Sequence, residues 1–176
     1  MNRIPAVILA GGAARRMGGG DKPLMVHQGR PLLAHVVDAL GGAYPVAINA
    51  GGDPARFASF GLPVIPDALD GQLGPLAGIL TALEWATTDS VLVVAGDTVG
   101  LPQNLTTMLS PAPAYLRAAG RDHPTIGHWP TALAPALRSH LMAGNRRVMD
   151  WIDLIGARAI ETDAPIRNIN RPEDLT

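Results

Sequence analysis

The chain has 176 residues, a length that favours one domain spanning 1–176 and buries roughly 68–70% of the unfolded surface without staples. Hydrophobic residues make up 47% and charged residues 16%, which excludes a disordered chain. Zero cysteines exclude disulfide frameworks, thiolate zinc sites and cysteine nucleophiles, and Lys+Arg 14 against Asp+Glu 15 leaves a net charge of −1 with no global basic field for nucleic acid.

Residues 4–10 form a short apolar run that stops at Gly11-Gly12 and reads as a strand buried on both faces. Pro5 interrupts it and Arg15-Arg16 follow it, so it is not a signal peptide. No run of about 18 apolar residues marks a membrane span. Residues 11–21 hold five glycines and read as a loop. Residues 31–40 predict a helix with Pro31 at its first position. Runs at 46–50 and 62–65 predict strands, 67–74 a loop, and 75–86 a helix opening on Pro75. Residues 91–95 are the clearest buried strand, ending at Gly96-Asp97. Runs at 115–119 and 125–129, flanking Gly120-Arg121-Asp122, predict a hairpin near a sheet edge. Helices over 131–141 and 146–155 and a weak strand over 157–161 complete the pattern.

This alternation implies an α/β fold with a mainly parallel sheet. Ligands then bind outside the carboxyl ends of the strands. The loops 11–22, 49–53 and 96–102 share that rim with Asp67.

The first loop carries the strongest chemistry. Its glycines let main-chain amides approach an anion, and Arg15, Arg16 and Lys22 can neutralise phosphate oxygens. It is neither a Walker A loop nor GxGxxG. The competing reading is a solvated surface loop. Asp97, at the end of a buried strand, reads as a Mg²⁺ ligand shared with a triphosphate. Its alternative is a turn residue or a cap for a helix near 102–109. Asp67 is a second candidate carboxylate, or an Asx-turn residue after Pro66. The five histidines show no ligand spacing, so zinc is not expected.

Leu9-Ala10-Gly11-Gly12, Arg16-Met17-Gly18 and Asp21-Lys22 resemble the signature of nucleotidyltransferases with a GT-A-like fold. The run Gly74-Pro75-Leu76-Ala77-Gly78 narrows the match, as do Arg121-Asp122-His123-Pro124-Thr125, Gly144-Asn145-Arg146-Arg147-Val148-Met149 and Asn168-Ile169-Asn170 before Pro172. Together they resemble the molybdenum cofactor guanylyltransferase (MobA-type) family. The resemblance implies a three-layer αβα, Rossmann-like fold. It implies transfer of GMP from GTP to the molybdenum-loaded molybdopterin cofactor, with Mg²⁺ and release of pyrophosphate.

Site roles follow from the same resemblance. The backbone of Leu9, Ala10, Gly11 and Gly12 contacts the nucleotide. Arg16 and Lys22 hold the triphosphate. Asn49 and Asp67 contact GTP, and which of them reads the base stays open. Gly74 walls the base pocket, and Asp97 binds metal. Arg147, Asn168 and Asn170 face the pterin, although Arg146-Arg147 also read as the exposed first turn of a helix. Implied partners are GTP, molybdenum-molybdopterin, molybdopterin-biosynthesis proteins and apo-molybdoenzymes. Neither nucleic acid nor membrane is expected, and the chain is expected to be a cytoplasmic monomer. Val99 stands where the family carries a proline after the strand-end Asp, which predicts a more mobile loop there. The alternatives are a cytidylyltransferase of the same pterin, a sugar-directed relative, and a carrier module without chemistry.

Overall fold

The computed structural model describes residues 3–11, 21–41, 43, 45–71, 73–170 and 172–175. In chain order the elements are β1 (Ala6–Leu9), β2 (Val26–His27), β3 (Arg30–Pro31), α1 (Leu32–Ala39), β4 (Val46–Asn49), β5 (Val64–Ile65), α2 (Pro75–Trp85) and β6 (Ser90–Ala95). They continue with β7 (Thr98–Val99), α3 (Leu105–Met108), β8 (Ala114–Ala118), β9 (Arg121–Pro130), α4 (Ala134–Met142), α5 (Val148–Ile155), β10 (Arg158–Thr162) and β11 (Arg167–Asn168). Short 3-10 turns at Lys22–Leu24, Pro54–Phe60, Thr131–Leu133 and Pro172–Leu175 fill the connections.

The large sheet of the described residues runs β10-β8-β9-β6-β1-β4-β5. β1 lies between β4 and β6, parallel to both. β9 is antiparallel to its neighbours β6 and β8, and β10 returns parallel to β8. The expected mainly parallel α/β sheet is therefore observed.

Side chains alternate across each strand, and this splits the core in two. Ala6 and Ile8 face one cluster with Leu33 and Val36 of α1 and Leu105 of α3. Val7 faces the other, with α2, Leu137 of α4 and Trp151 of α5. β1 and β6 need no polar positions because helices cover both faces. α2 is apolar nearly all round for the same reason: residues 76–83 are all buried between the sheet and α4.

Several expected boundaries move. Pro31 caps α1 from outside, in an extended conformation (ψ 143). α5 begins at Val148, so Arg147 is its N-cap residue and Arg146 precedes the helix. The hairpin β8–β9 lies inside the sheet, because β10 adds beyond β8 and takes the edge. Its turn is Ala119-Gly120, both at positive φ (49 and 72), so Arg121 and Asp122 already belong to β9. Leu116 pairs with His123 while Tyr115 pairs with Gly127, so Pro124, Thr125 and Ile126 bulge out of the ladder. The Arg117 Nε to Asp122 Oδ1 ion pair (2.6 Å) crosses the strands beside this bulge. That hydrogen bond holds the Asp122 carboxyl below its ordinary range.

The loop after Asp97, expected to be more mobile for want of a proline, is laddered instead. Val99 pairs with Arg167 and Thr98 with Asn168. The Val99 side chain is buried with Leu32 and Ile169, an apolar seat that replaces the stiffness of a proline ring.

Candidate active site

A cavity of about 730 Å³ opens at the carboxyl ends of β1, β4 and β6. Leu9, Gly11, Lys22, Asn49, Asp67, Gly74, Asp97 and Asn168 line it, eight of the residues singled out from sequence. Gly12 and Arg16 lie outside the described residues. Ala10 does not line the cavity: it is buried, and its amide donates to the Asn49 carbonyl (2.9 Å). The Leu9 carbonyl is likewise engaged by the Gly96 amide (2.8 Å). These bonds continue the ladder past the strand ends, and in this stretch Leu9 and Gly11 line the cavity.

One polar cluster stands at the cavity edge. Lys22 Nζ donates to Asp97 Oδ2 (2.5 Å) and to Asn170 Oδ1 (2.8 Å). Asn168 Nδ2 donates to Asp97 Oδ1 (3.3 Å), and the Ile169 amide donates to the Asp97 main-chain carbonyl (2.9 Å). The segment 168–170 thus stitches the strand-end carboxylate to the first loop. Lys22 and Asp97 are about one-fifth exposed, at 19% and 21%, open to a ligand yet shielded from full solvent screening.

A second cluster lies across the cavity. Asn49 is buried at the end of β4, and its Nδ2 donates both to the Ile65 carbonyl (3.2 Å) and to Asp67 Oδ1 (3.0 Å). Both protons of that amide are used. Asn49 therefore orients Asp67, which keeps lone pairs for a ligand. Gly74 caps α2 at φ 74 and ψ −167, a conformation essentially reserved for glycine. A Cβ on Gly78 would lie 2.7 Å from both Asn49 Oδ1 and Leu9 Cδ2. Only a glycine lets α2 approach β1 and β4 this closely, and the approach shapes the wall.

Arg147 is not brought to the cavity. Its side chain is 82% exposed and pairs with Asp150 (3.9 Å), a contact local to its own helix. Thr125, by contrast, lines the cavity with no role foreseen for it. The signal was the His-Pro-Thr run, whose proline interrupts the β9 ladder and turns Thr125 out of register.

The donor set suits a hard divalent cation. Asp97 offers carboxylate oxygens and already accommodates the Lys22 ammonium. Among the described residues no group of three or more His, Cys, Asp or Glu gathers. A cation here would therefore be shared with substrate oxygens rather than caged by protein, which fits a metal bridging a phosphate.

A strand-end carboxylate met by a lysine thus stands opposite a buried amide that holds the exposed Asp67 carboxylate, at the carboxyl ends of a mainly parallel sheet, where α/β folds bind their ligands. The solved structures agree in fold. Molybdopterin-guanine dinucleotide biosynthesis protein A from Archaeoglobus fulgidus superposes with a TM-score of 0.70 at 18% identity, covering 98% of this chain and 95% of that one. The inositol-1-phosphate CTP transferase from T. maritima gives 0.78 at 13% identity, covering 100% and 93%. More particularly, the chain belongs to the MobA-like NTP transferase domain family, which it matches over residues 6–159. It is 44% identical to the molybdenum cofactor guanylyltransferase of Rhodopseudomonas palustris (strain BisB5), over 97% of this chain and 90% of that protein.

Proposed function

We propose that this chain transfers GMP from GTP to the molybdenum-loaded molybdopterin cofactor. The acceptor's terminal phosphate attacks the α-phosphorus, and pyrophosphate leaves. The observation that carries this reading is the cluster of Lys22, Asp97, Asn168 and Asn170 facing the Asn49–Asp67 pair across one cavity.

Asp67, oriented by Asn49, accepts from guanine N1–H and N2–H₂, while Gly74 and Pro75 wall the base. Lys22 exchanges its partner Asp97 for the triphosphate and takes up charge on the departing pyrophosphate. Arg16, in the same glycine loop, serves the same anion. Asp97 holds Mg²⁺, which when bound neutralises phosphate charge as it builds up. Asn168 keeps the Asp97 carboxylate aimed at the reacting phosphates. No protein nucleophile is needed, because this chemistry rests on positioning and electrostatics.

No helix among the described residues is long and apolar enough to cross a membrane. We place the enzyme in the cytoplasm as a monomer that passes its product to apo-molybdoenzymes. A nucleotide panel with pyrophosphate detection tests the base assignment. GTP turnover that requires the loaded pterin is the expected result, and CTP turnover above GTP turnover rejects it.

A further inference from the structure

A second cavity of about 300 Å³ adjoins the first, lined by Arg121, His123, Ile166, Arg167, Asn168 and Asp174 among others. That volume is at the lower end for small-molecule sites. Asn168 lines both spaces, and its amide holds Asp97 Oδ1 at 3.3 Å. Asn168 is therefore a wall common to both cavities, beside the Asp97 carboxylate. Arg121 and Arg167 are exposed and form no salt bridge among the described residues. The carboxylate in this lining, Asp174, accepts from the Asn170 amide (2.9 Å). His123 is buried near the start of β9 and lines this cavity beside Asn168.

In-line displacement needs the attacking oxygen and the leaving group on opposite sides of the α-phosphorus. With the base at Asp67 and the pyrophosphate at Lys22, the acceptor must enter from a remaining side that still reaches Asp97. The second cavity is such a side, and two unpaired guanidinium groups suit an acceptor bearing several negative charges. We propose that this cavity seats the body of the phosphate-bearing acceptor, with its anionic groups on Arg121 and Arg167. Its phosphate then passes Asn168 to the α-phosphorus. The new bond joins an acceptor phosphate oxygen to that phosphorus. The bond to the α–β bridging oxygen breaks, and its electron pair leaves with pyrophosphate.

This inference rests on the guanylyl-transfer reading, and one set of kinetics separates the two. Molybdenum-loaded molybdopterin is varied at saturating GTP for the wild type, for Arg121→Ala/Arg167→Ala and for Arg121→Lys/Arg167→Lys. The alanine pair is expected to raise the acceptor KM at least about tenfold, with the GTP KM changed by less than about twofold. The lysine pair is expected to recover most of the loss, since it restores charge. Should the alanine pair melt early, Arg121→Gln/Arg167→Gln replaces it. An unchanged acceptor KM in an enzyme that turns over GTP overturns the acceptor site and leaves GMP transfer standing. Absence of wild-type turnover overturns both.

Discussion

Lys22 and Asp97 are 75 positions apart in the chain, yet their charged ends lie 2.5 Å apart. Each satisfies the other, and each has a better partner in the proposed reaction: phosphate oxygens for the ammonium, a divalent cation for the carboxylate. Asp97→Asn keeps the shape and removes the anion. It is expected to lower kcat on the order of 10²–10³-fold, the size of loss seen when one electrostatic contact to a transition state is deleted. Steady-state pyrophosphate release measures this. Unchanged turnover would sink the metal-ligand role, and cofactor delivery surviving without turnover in the wild type would favour the carrier reading. Part of this site is legible in the sequence. Lys22 follows a glycine loop after the first strand, and Asp97 ends the clearest apolar run. Asn168 and Asn170 carry no such local signal and entered only by resemblance. Their partners are 71 and 148 positions away, a distance no local pattern spans.

At the scale of elements, α2 shows how packing and site depend on each other. Gly78 contributes no side chain, and its absence lets the helix press on Leu9 and Asn49. Gly78→Ala places a methyl where two atoms already lie within 2.7 Å. The expected cost is about 1–3 kcal/mol in urea unfolding, as for other overpacked cores. GTP affinity is expected to fall with it, because displacing Asn49 misdirects Asp67. Stability lost with affinity intact would show that the base pocket is built elsewhere. The long elements were readable for a common reason: β1, β6 and α2 are apolar runs of sufficient length, bounded by Gly or Pro. β9 was not, because its bulge at Pro124–Ile126 breaks the alternation and its first residues read as a turn. The pairs β2–β3 and β7–β11 span two residues each, too short for any periodicity. Arg147 shows the limit of such patterns: a cationic pair before a helix looks the same in sequence whether it faces a ligand or water, and its side chain here stands outside the cavity.

Across the whole molecule, two histidines link folding to pH. His128 is buried, with Nδ1 3.3 Å from the Leu109 carbonyl and Nε2 2.8 Å from Ser90 Oγ. A carbonyl only accepts, so Nδ1 carries the proton and Nε2 accepts from the serine hydroxyl. Burial pushes the His128 imidazole below its ordinary range, and burial does the same to His123. The folded chain thus binds fewer protons than the unfolded chain near pH 6.5. Stability from these groups is complete above that ordinary value and is lost as pH falls through it toward the folded values. Urea midpoints are expected to fall between about pH 7.5 and pH 5.5, with a shallower fall in His128→Asn. A flat profile in the wild type refutes the linkage. Asp122, held low by Arg117, acts in the opposite part of the scale and loses its contribution only in stronger acid.

The stitch at 168–170 also separates scaffold from site along the chain. Every strand of the large sheet is complete by Thr162, whereas the amides that aim Asp97 come later. A chain truncated after Thr162 would keep every strand of that sheet and leave its anchoring carboxylate without a guide.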